Sequence, residues 1–238
     1  MIKTVIIVAL ERELHPLTKG WARKPLECAG NRLWSYGHGD VVAVAGGIGR
    51  LRAALAARKV VDQFHPEQLI SAGLAGSLSR NLKAGSVVTP HVVVDVLTGS
   101  EYHCNGDATG GDVLVSAGEI AGQDVKRSLA ERYHGVAVDM EAAGVAGVAM
   151  EFNIGFRCVK AISDELDFIM PPLNNFVDSQ GNFSTGKFLA WAALRPRHWL
   201  SVARLSRGSH RAIQALCDWL RNNITGEVLS SAVVTLVP

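Results

Sequence analysis

Thr4–Leu10 reads TVIIVAL, a short run rich in β-branched residues with no polar position after Thr4 to turn toward water. Val and Ile are stiff at χ1 and suit a pleated strand. A strand that is apolar without alternation has both faces covered. This one stretch therefore predicts a sheet with helices packed on two sides.

The neighbouring segments extend the pattern. Arg32–Tyr36 and Val41–Ala45 read as two more strands, joined by the turn Gly37-His38-Gly39-Asp40. The spacing of Leu51, Ala54, Leu55, Val60 and Val61 predicts a helix over 48–64. Gln68–Ala72 is the next strand, and 86–96 a longer β run broken by Pro90. Residues 97–112 carry four glycines and little apolar content, which predicts a loop. A helix over 123–132, a brief strand over 136–138, a helix over 140–152 and a strand over 156–162 follow. Strands alternating with helices predict a three-layer α/β/α sandwich around a mixed, largely parallel sheet.

Beyond Asp167 the pattern changes. Residues 168–187 contain PP and NN pairs, suited to a loop that acts as a lid. Helices are expected at 188–205 and 209–223. The tail VLSSAVVTLVP suits either a packed strand or a partner-binding end. With no repeats and no linker composition, one domain over 1–238 is expected.

Bulk properties narrow the function classes. Of 238 residues 48% are hydrophobic, and 24 Lys+Arg nearly balance 22 Asp+Glu, so no charge footprint for nucleic acid is present. No apolar run reaches the ~20 residues of a membrane span. MIKTVIIVAL runs straight into ERE without a signal-peptide cleavage region, and Cys28, Cys104, Cys158 and Cys217 form no C-x-x-C pair. A soluble cytoplasmic protein without stable membrane insertion is the expectation.

Two glycine-rich segments, AGGIGR (45–50) and SAGLAGSL (71–78), follow strands. Such turns bring backbone N–H groups close to an oxyanion or a sugar, or are plain tight turns. The first lacks a complete dinucleotide fingerprint, since Arg52 stands at its third position, which weakens an oxidoreductase reading. Glu11, Glu13 and Asp164 lie just after strands, where open α/β sheets bind ligands. Each alone also reads as a helix cap. VDMEAAGVAGVAM (138–150) is a small-residue core helix with two acids at its mouth. Asp139 can cap it. Glu141 in the first turn can stay ionised, and its two acceptor oxygens suit a vicinal diol such as that of ribose.

Taken in order, ALERE (9–13), GGIG (46–49), SAGLAGSL (71–78), VDMEAAGVA (138–146) and VKAISDE (159–165) resemble the nucleoside phosphorylase and nucleosidase superfamily. The branch of methylthioadenosine/S-adenosylhomocysteine nucleosidases is most similar. Residues 168–220 look more like the hopanoid-associated phosphorylase-like branch, whose implied substrate is an adenosylated hopanoid. The resemblance implies a nucleoside phosphorylase-like fold and cleavage of a purine N-glycosidic bond, with adenine leaving a 5′-modified ribose. Asp164 would protonate the base at N7, which calls for a carboxyl raised by a desolvated pocket. Glu141 would hold the ribose hydroxyls with Asp139 beside it, Met140 would pack on the sugar, and Glu13 would orient or deprotonate water. Gly73, Ala75 and Gly76 would lie beside nucleophile and base, Ile48 would line the sugar side, and Ile120 stands where the family stacks an aromatic ring on the base.

The nucleophile is the fork. Phosphorylases of this superfamily place an arginine and a hydroxyl residue where this chain has Ser71 and Leu74, so hydrolysis is favoured and phosphorolysis is the alternative. Arg50 reads as a solvated helix start, or as a substitute phosphate ligand. Lys160 stands where the nucleosidases often have arginine. No cofactor and no metal are expected, only phosphate as co-substrate for a phosphorylase; His103 beside Cys104 reads as surface loop. The implied partners are a small purine nucleoside and a second copy of the chain, in a homodimer or larger homo-oligomer. Trp191, Trp199 and Trp219 read as core or interface anchors, and RPRHWLSVARLSRGSHR (195–211) as a solvated basic face that could also touch a membrane surface. A non-catalytic nucleoside-binding module is the reading from another class.

Overall fold

The computed structural model describes residues 1–105, 111–176, 178 and 183–226. The tail 228–238 therefore lies outside the described residues, as do parts of the 97–112 and 168–187 segments. In chain order the strands and helices are β1 (Thr4–Val8), β2 (Ala22–Cys28), β3 (Asn31–His38), β4 (Val41–Ala45), α1 (Arg50–Phe64), β5 (Gln68–Ser77), β6 (Val87–Val88) and β7 (Val92–Asp95). Then come β8 (Glu101–His103), β9 (Val113–Ser116), α2 (Gln123–Tyr133), β10 (Ala137–Asp139), α3 (Ala142–Glu151), β11 (Gly155–Asp164), α4 (Thr185–Ala193) and α5 (Trp199–Leu220).

TVIIV does what an apolar strand without alternation should do. Val5 and Ile7 point into one core with residues of α1 and α3, whereas Ile6 and Val8 point into another with Ala212, Leu216 and Leu220 of α5. All four are essentially buried. The layers are thus α1 and α3, the sheet, and α5, as the sequence predicted. The strand order is β2-β3-β4-β1-β5-β10-β9-β7-β8, with β11 beside β5 and β6 beside β11. β1 runs parallel to β4 and β5, and β5 parallel to β11, while the β2-β3-β4 meander and the β5-β10 pair are antiparallel.

One local register opens the cleft. β1 pairs with β5 only as far as Ile7 opposite Ser71, and β10 pairs with the same edge of β5 from the other direction, Val138 opposite Gly76. Ala72–Ala75 have no partner on that edge among the described residues, and the carboxyl ends of β1 and β10 face each other across it.

Several sequence expectations needed correction. SAGLAGS is not a turn but the second half of β5, which runs to Ser77. Its glycines mark close approach of side chains rather than chain reversal. The strand β2, ARKPLEC, was not foreseen because it carries charges and Pro25; it is the edge strand, where proline and charge are tolerated. The 97–112 loop contains the short β8. The two C-terminal helices divide at 194–198, not at 206–208. Pro196 removes a donor and pushes Arg195 out of helical geometry (φ −136°, ψ 77°), whereas Gly208 stays inside α5. A Cβ on Gly208 would fall 2.2 Å from the Ser163 carbonyl oxygen, so α5 packs backbone to backbone on the end of β11.

The small residues of VDMEAAGVAGVAM do permit close packing, but the tightest contact is with α1, not the sheet. A Cβ on Gly144 would lie 2.2 Å from the Arg50 carbonyl oxygen. Gly144→Ala must therefore force α1 and α3 apart. It should cost about 2 kcal/mol or more and lower Tm by roughly 5 °C in a thermal melt. Gly186→Ala in α4, with nothing within 4 Å, should leave Tm unchanged or slightly higher.

Candidate active site

A cleft at the carboxyl ends of β1, β5, β10 and β11 encloses about 810 Å³, its mouth included. Glu13, Ile48, Ala75, Gly76, Ile120, Asp139, Met140, Glu141 and Asp164 all line it. Gly73 sits behind them: the space of its absent Cβ is taken by the Glu13 carboxylate, 3.2 Å away. Its φ of +147° also suits glycine alone. The residues given site roles thus lie around one cleft, whereas Glu11 and Arg50 do not line it.

At one end, Glu13 follows β1 and is 3% exposed, its Oε2 accepting the Ala9 N–H at 3.3 Å. Burial pushes its carboxyl above the ordinary value, and Lys160 pulls it back. Asp139 ends β10. Its Oδ2 accepts the backbone N–H of Ala142 (2.8 Å) and Glu141 (3.3 Å), so it satisfies the first donors of α3 although the N-cap residue is Glu141 and not Asp139. The same oxygen is also paired with the buried Lys160 ammonium at 2.8 Å, and Asp139 Oδ1 has no hydrogen-bond partner. Burial alone would lower Lys160, but Asp139 and the neighbouring acids outweigh it and hold its ammonium above the ordinary lysine value. Lys160 also donates to Ser71 Oγ at 3.1 Å. An arginine analogue at this position is thus a structural counter-ion beneath the carboxylates.

Glu141 corrects the expectation of a first-turn acid. The helix begins at Ala142, and Glu141 Oε1 reaches instead to the Gly49 N–H at 2.8 Å. Gly49 is the N-cap of α1, so the free donors at the start of a different helix hold this carboxylate. Burial first, then Asp139, raises Glu141 to about 7; Lys160 and the Gly49 N–H oppose the shift. Three carboxylates around one ammonium leave this end net negative whenever Glu141 and Glu13 are ionised.

At the other end is Asp164, 6% exposed. A β-bulge between Ile162 and Asp164 places it opposite Gly76 and re-aims the strand end into the cleft. Ser163 Oγ donates to Asp164 Oδ1 at 2.6 Å, and the Lys126 ammonium is in direct contact with Oδ2. Burial is present as the mechanism asked, but the carboxylate is half of a buried ion pair that sequence reading did not anticipate. Lys126 is 1% exposed although it lies on a polar helix, while its neighbour Val125 is 44% exposed. That inversion was the available signal: Lys126 shares a helix face with Leu129, Ala130 and Tyr133, which all pack inward.

The remaining expectations divide. Glu11 turns away from the cleft, to Arg23 at 3.0 Å and to the Tyr36 hydroxyl. Arg50 is a partly exposed helix start whose Nε donates to the buried Asp95 at 2.9 Å, and it does not line the cleft. Ile120 lines the cleft, and its N–H and C=O are held by Asn174 at 3.1 and 3.4 Å. That ties the start of the 168–187 segment to the site, and Met170 and Leu173 of this segment add apolar wall. Trp191 packs in an aromatic cluster with Phe176 and Phe188, whereas Trp199 is 57% exposed. Among the described residues no helix is long and apolar enough to cross a membrane.

Residues 3–114 match the family model described as the phosphorylase superfamily. The native futalosine hydrolase of Helicobacter pylori strain 26695 has a TM-score of 0.69 at 16% identity, covering 92% of this chain and 96% of its own. The 5′-methylthioadenosine/S-adenosylhomocysteine nucleosidase of Neisseria meningitidis, solved with methylthio-immucillin-A, has a TM-score of 0.69 at 18% identity, covering 97% and 100%. A putative nucleosidase of the same kind from Francisella philomiragia gives 0.69 at 18%, covering 93% and 98%. At these identities the likeness shows a shared fold, and the nucleoside phosphorylase-like architecture is established.

Proposed function

We propose that this phosphorylase-like chain hydrolyses the N-glycosidic bond of a purine nucleoside, releasing adenine from a 5′-modified ribose. The observation that carries the reading is the convergence of Glu13, Glu141 and Asp164 on one cleft from the ends of three different strands. A sugar set against Met140 and Ile48 presents its diol to Glu141 and its anomeric carbon to the acids. Bond cleavage leaves positive charge on the ring, and the net negative end stabilises it where it develops. Glu13 takes a proton from the attacking water, and Asp164 serves the departing base, so that it leaves neutral.

Water is favoured over phosphate because the buried cations are engaged. The two buried ammonium groups are paired, Lys160 with Asp139 and Lys126 with Asp164, which leaves Arg12 beside Glu13 as the cleft cation that a phosphate would have to find. A phosphate dianion entering among the carboxylates would lose its hydration with little in return. The apolar wall of Met170, Leu173 and Leu205 suits a hydrophobic 5′ group, and an adenosylated hopanoid is the bulkiest candidate. Phosphorolysis of the same bond is the second reading. A homodimer or larger assembly belongs to the proposal and is checked by sedimentation of the purified chain.

The deciding experiment follows base release from adenosines with several 5′ substituents, with and without phosphate. Release without phosphate, yielding the free sugar, is the expected result. Release only with phosphate replaces hydrolysis by phosphorolysis, and no release from any nucleoside overturns the enzyme reading.

A further inference from the structure

Lys126 is the chemically active group in the cleft that the reaction just described leaves without a task. Its ammonium is buried against Asp164 Oδ2 and donates a second hydrogen bond to the Glu165 carbonyl oxygen at 2.9 Å. The fold makes room for it: a Cβ on Gly76 would lie 2.8 Å from Lys126 Cε and 3.2 Å from Asp164 Oδ2. A buried ion pair is seldom the most stable way to fill such a space, since two apolar side chains commonly do as well. Among cationic side chains, lysine gives up a proton readily and arginine does not.

We propose that Lys126 is the positioning residue that supplies, through Asp164, the proton delivered to the departing base. The proposal rests on the N-glycosidic cleavage above. In the step, the C1′–N9 bond breaks with its electron pair going to the base. Asp164, a carboxylate in the resting ion pair, takes a proton from Lys126 and passes it to N7, so that Asp164 ends as the carboxylate and Lys126 as the neutral amine. The water oxygen bonds C1′, and Glu13 takes the water's proton. Solvent then removes that proton from Glu13 and returns one to Lys126, so no further reactant is required. The other charged groups around the pair are Glu165, whose carboxylate is turned to Lys83, and Glu119, with Glu13, Asp139, Glu141, Arg12 and the Asp139-bound Lys160 across the cleft.

The test is the pH profile of kcat for the full chain and two variants, with folding checked by thermal melt and by binding of a non-cleavable nucleoside analogue. Lys126→Met should lose ten- to hundredfold in kcat near pH 7.5 while KM changes less than threefold. Its optimum should move at least one pH unit toward acid, because Asp164 must then draw its proton from solvent. Lys126→Arg keeps the charge and should still lose at least tenfold in kcat. Wild-type kcat in Lys126→Arg, or a loss in Lys126→Met with an unmoved pH profile, overturns the proposal. Should Lys126→Met fail to fold, Lys126→Arg alone decides. If the unaltered chain cleaves nucleosides, only the lysine is at stake in these variants; if it cleaves none, the cleavage reading fails and the proposal falls with it.

Discussion

Asp164→Asn should lower kcat by about a thousandfold while KM moves by no more than a fewfold. The amide keeps the volume and can still meet the Ser163 hydroxyl, so the shape of the base end survives. What it loses is the ability to carry a proton, and general acid catalysis contributes roughly 10²–10⁴ in rate. The variant also strands the Lys126 ammonium in a buried place without its anion. Some loss of thermal stability should therefore accompany the loss of turnover. Steady-state kinetics beside a binding titration separate the two effects. Undiminished turnover would remove Asp164 from the chemistry, and lost affinity with intact kcat would make it a binding residue only.

Glu141→Gln should show the opposite division: a fall in nucleoside affinity with a gain in the stability of the empty protein. A carboxylate hydrogen bond to a hydroxyl contributes about 1.5–3 kcal/mol. Gln keeps one acceptor, and its amide N–H₂ then meets donors, so a loss near thirty- to hundredfold is expected. The stability effect follows from the carboxyl being raised to about 7 against an ordinary 4.5. Between those values the folded chain holds a proton that the unfolded chain has released. The group's stabilising contribution is therefore full below the ordinary value and is lost as pH rises through 7. At pH 8 the ionised, buried Glu141 costs up to about 3 kcal/mol, which the amide does not incur. Melts at pH 5 and pH 8 should show Glu141→Gln gaining several degrees over the parent at pH 8 and little at pH 5. An equal gain at both values would mean that the raised carboxyl is not the cause.

Much of this was legible in the sequence because the signals were local. TVIIV has no polar position after Thr4, so its two buried faces could be read before any partner was known. The acids after strands could be placed at the sheet's carboxyl edge by topology alone. What escaped was decided by distant residues. Glu141 answers to Gly49, 92 positions earlier. Asp164 answers to Lys126, on a helix whose composition looked solvated, and Arg50 answers to Asp95. β2 has charges and a proline, and only its place at the sheet edge makes it a strand. The extension of β5 through SAGLAGS was hidden because glycines read as a turn when they were spaces for Glu13, Lys126 and Asp164.

The contact of Gly208 with the Ser163 carbonyl has a use in redesign. It splits the C-terminal third into a clamp and a replaceable wall. From Gly208 onward, α5 is pressed on the strand that carries Asp164, and side chains there set the chemistry's frame. Before it, Met170, Leu173 and Leu205 only border the space where a 5′ group would lie. New 5′ groups should thus be sought by exchanging Met170, Leu173 and Leu205, with Asn174 and the strand that carries Asp164 left untouched.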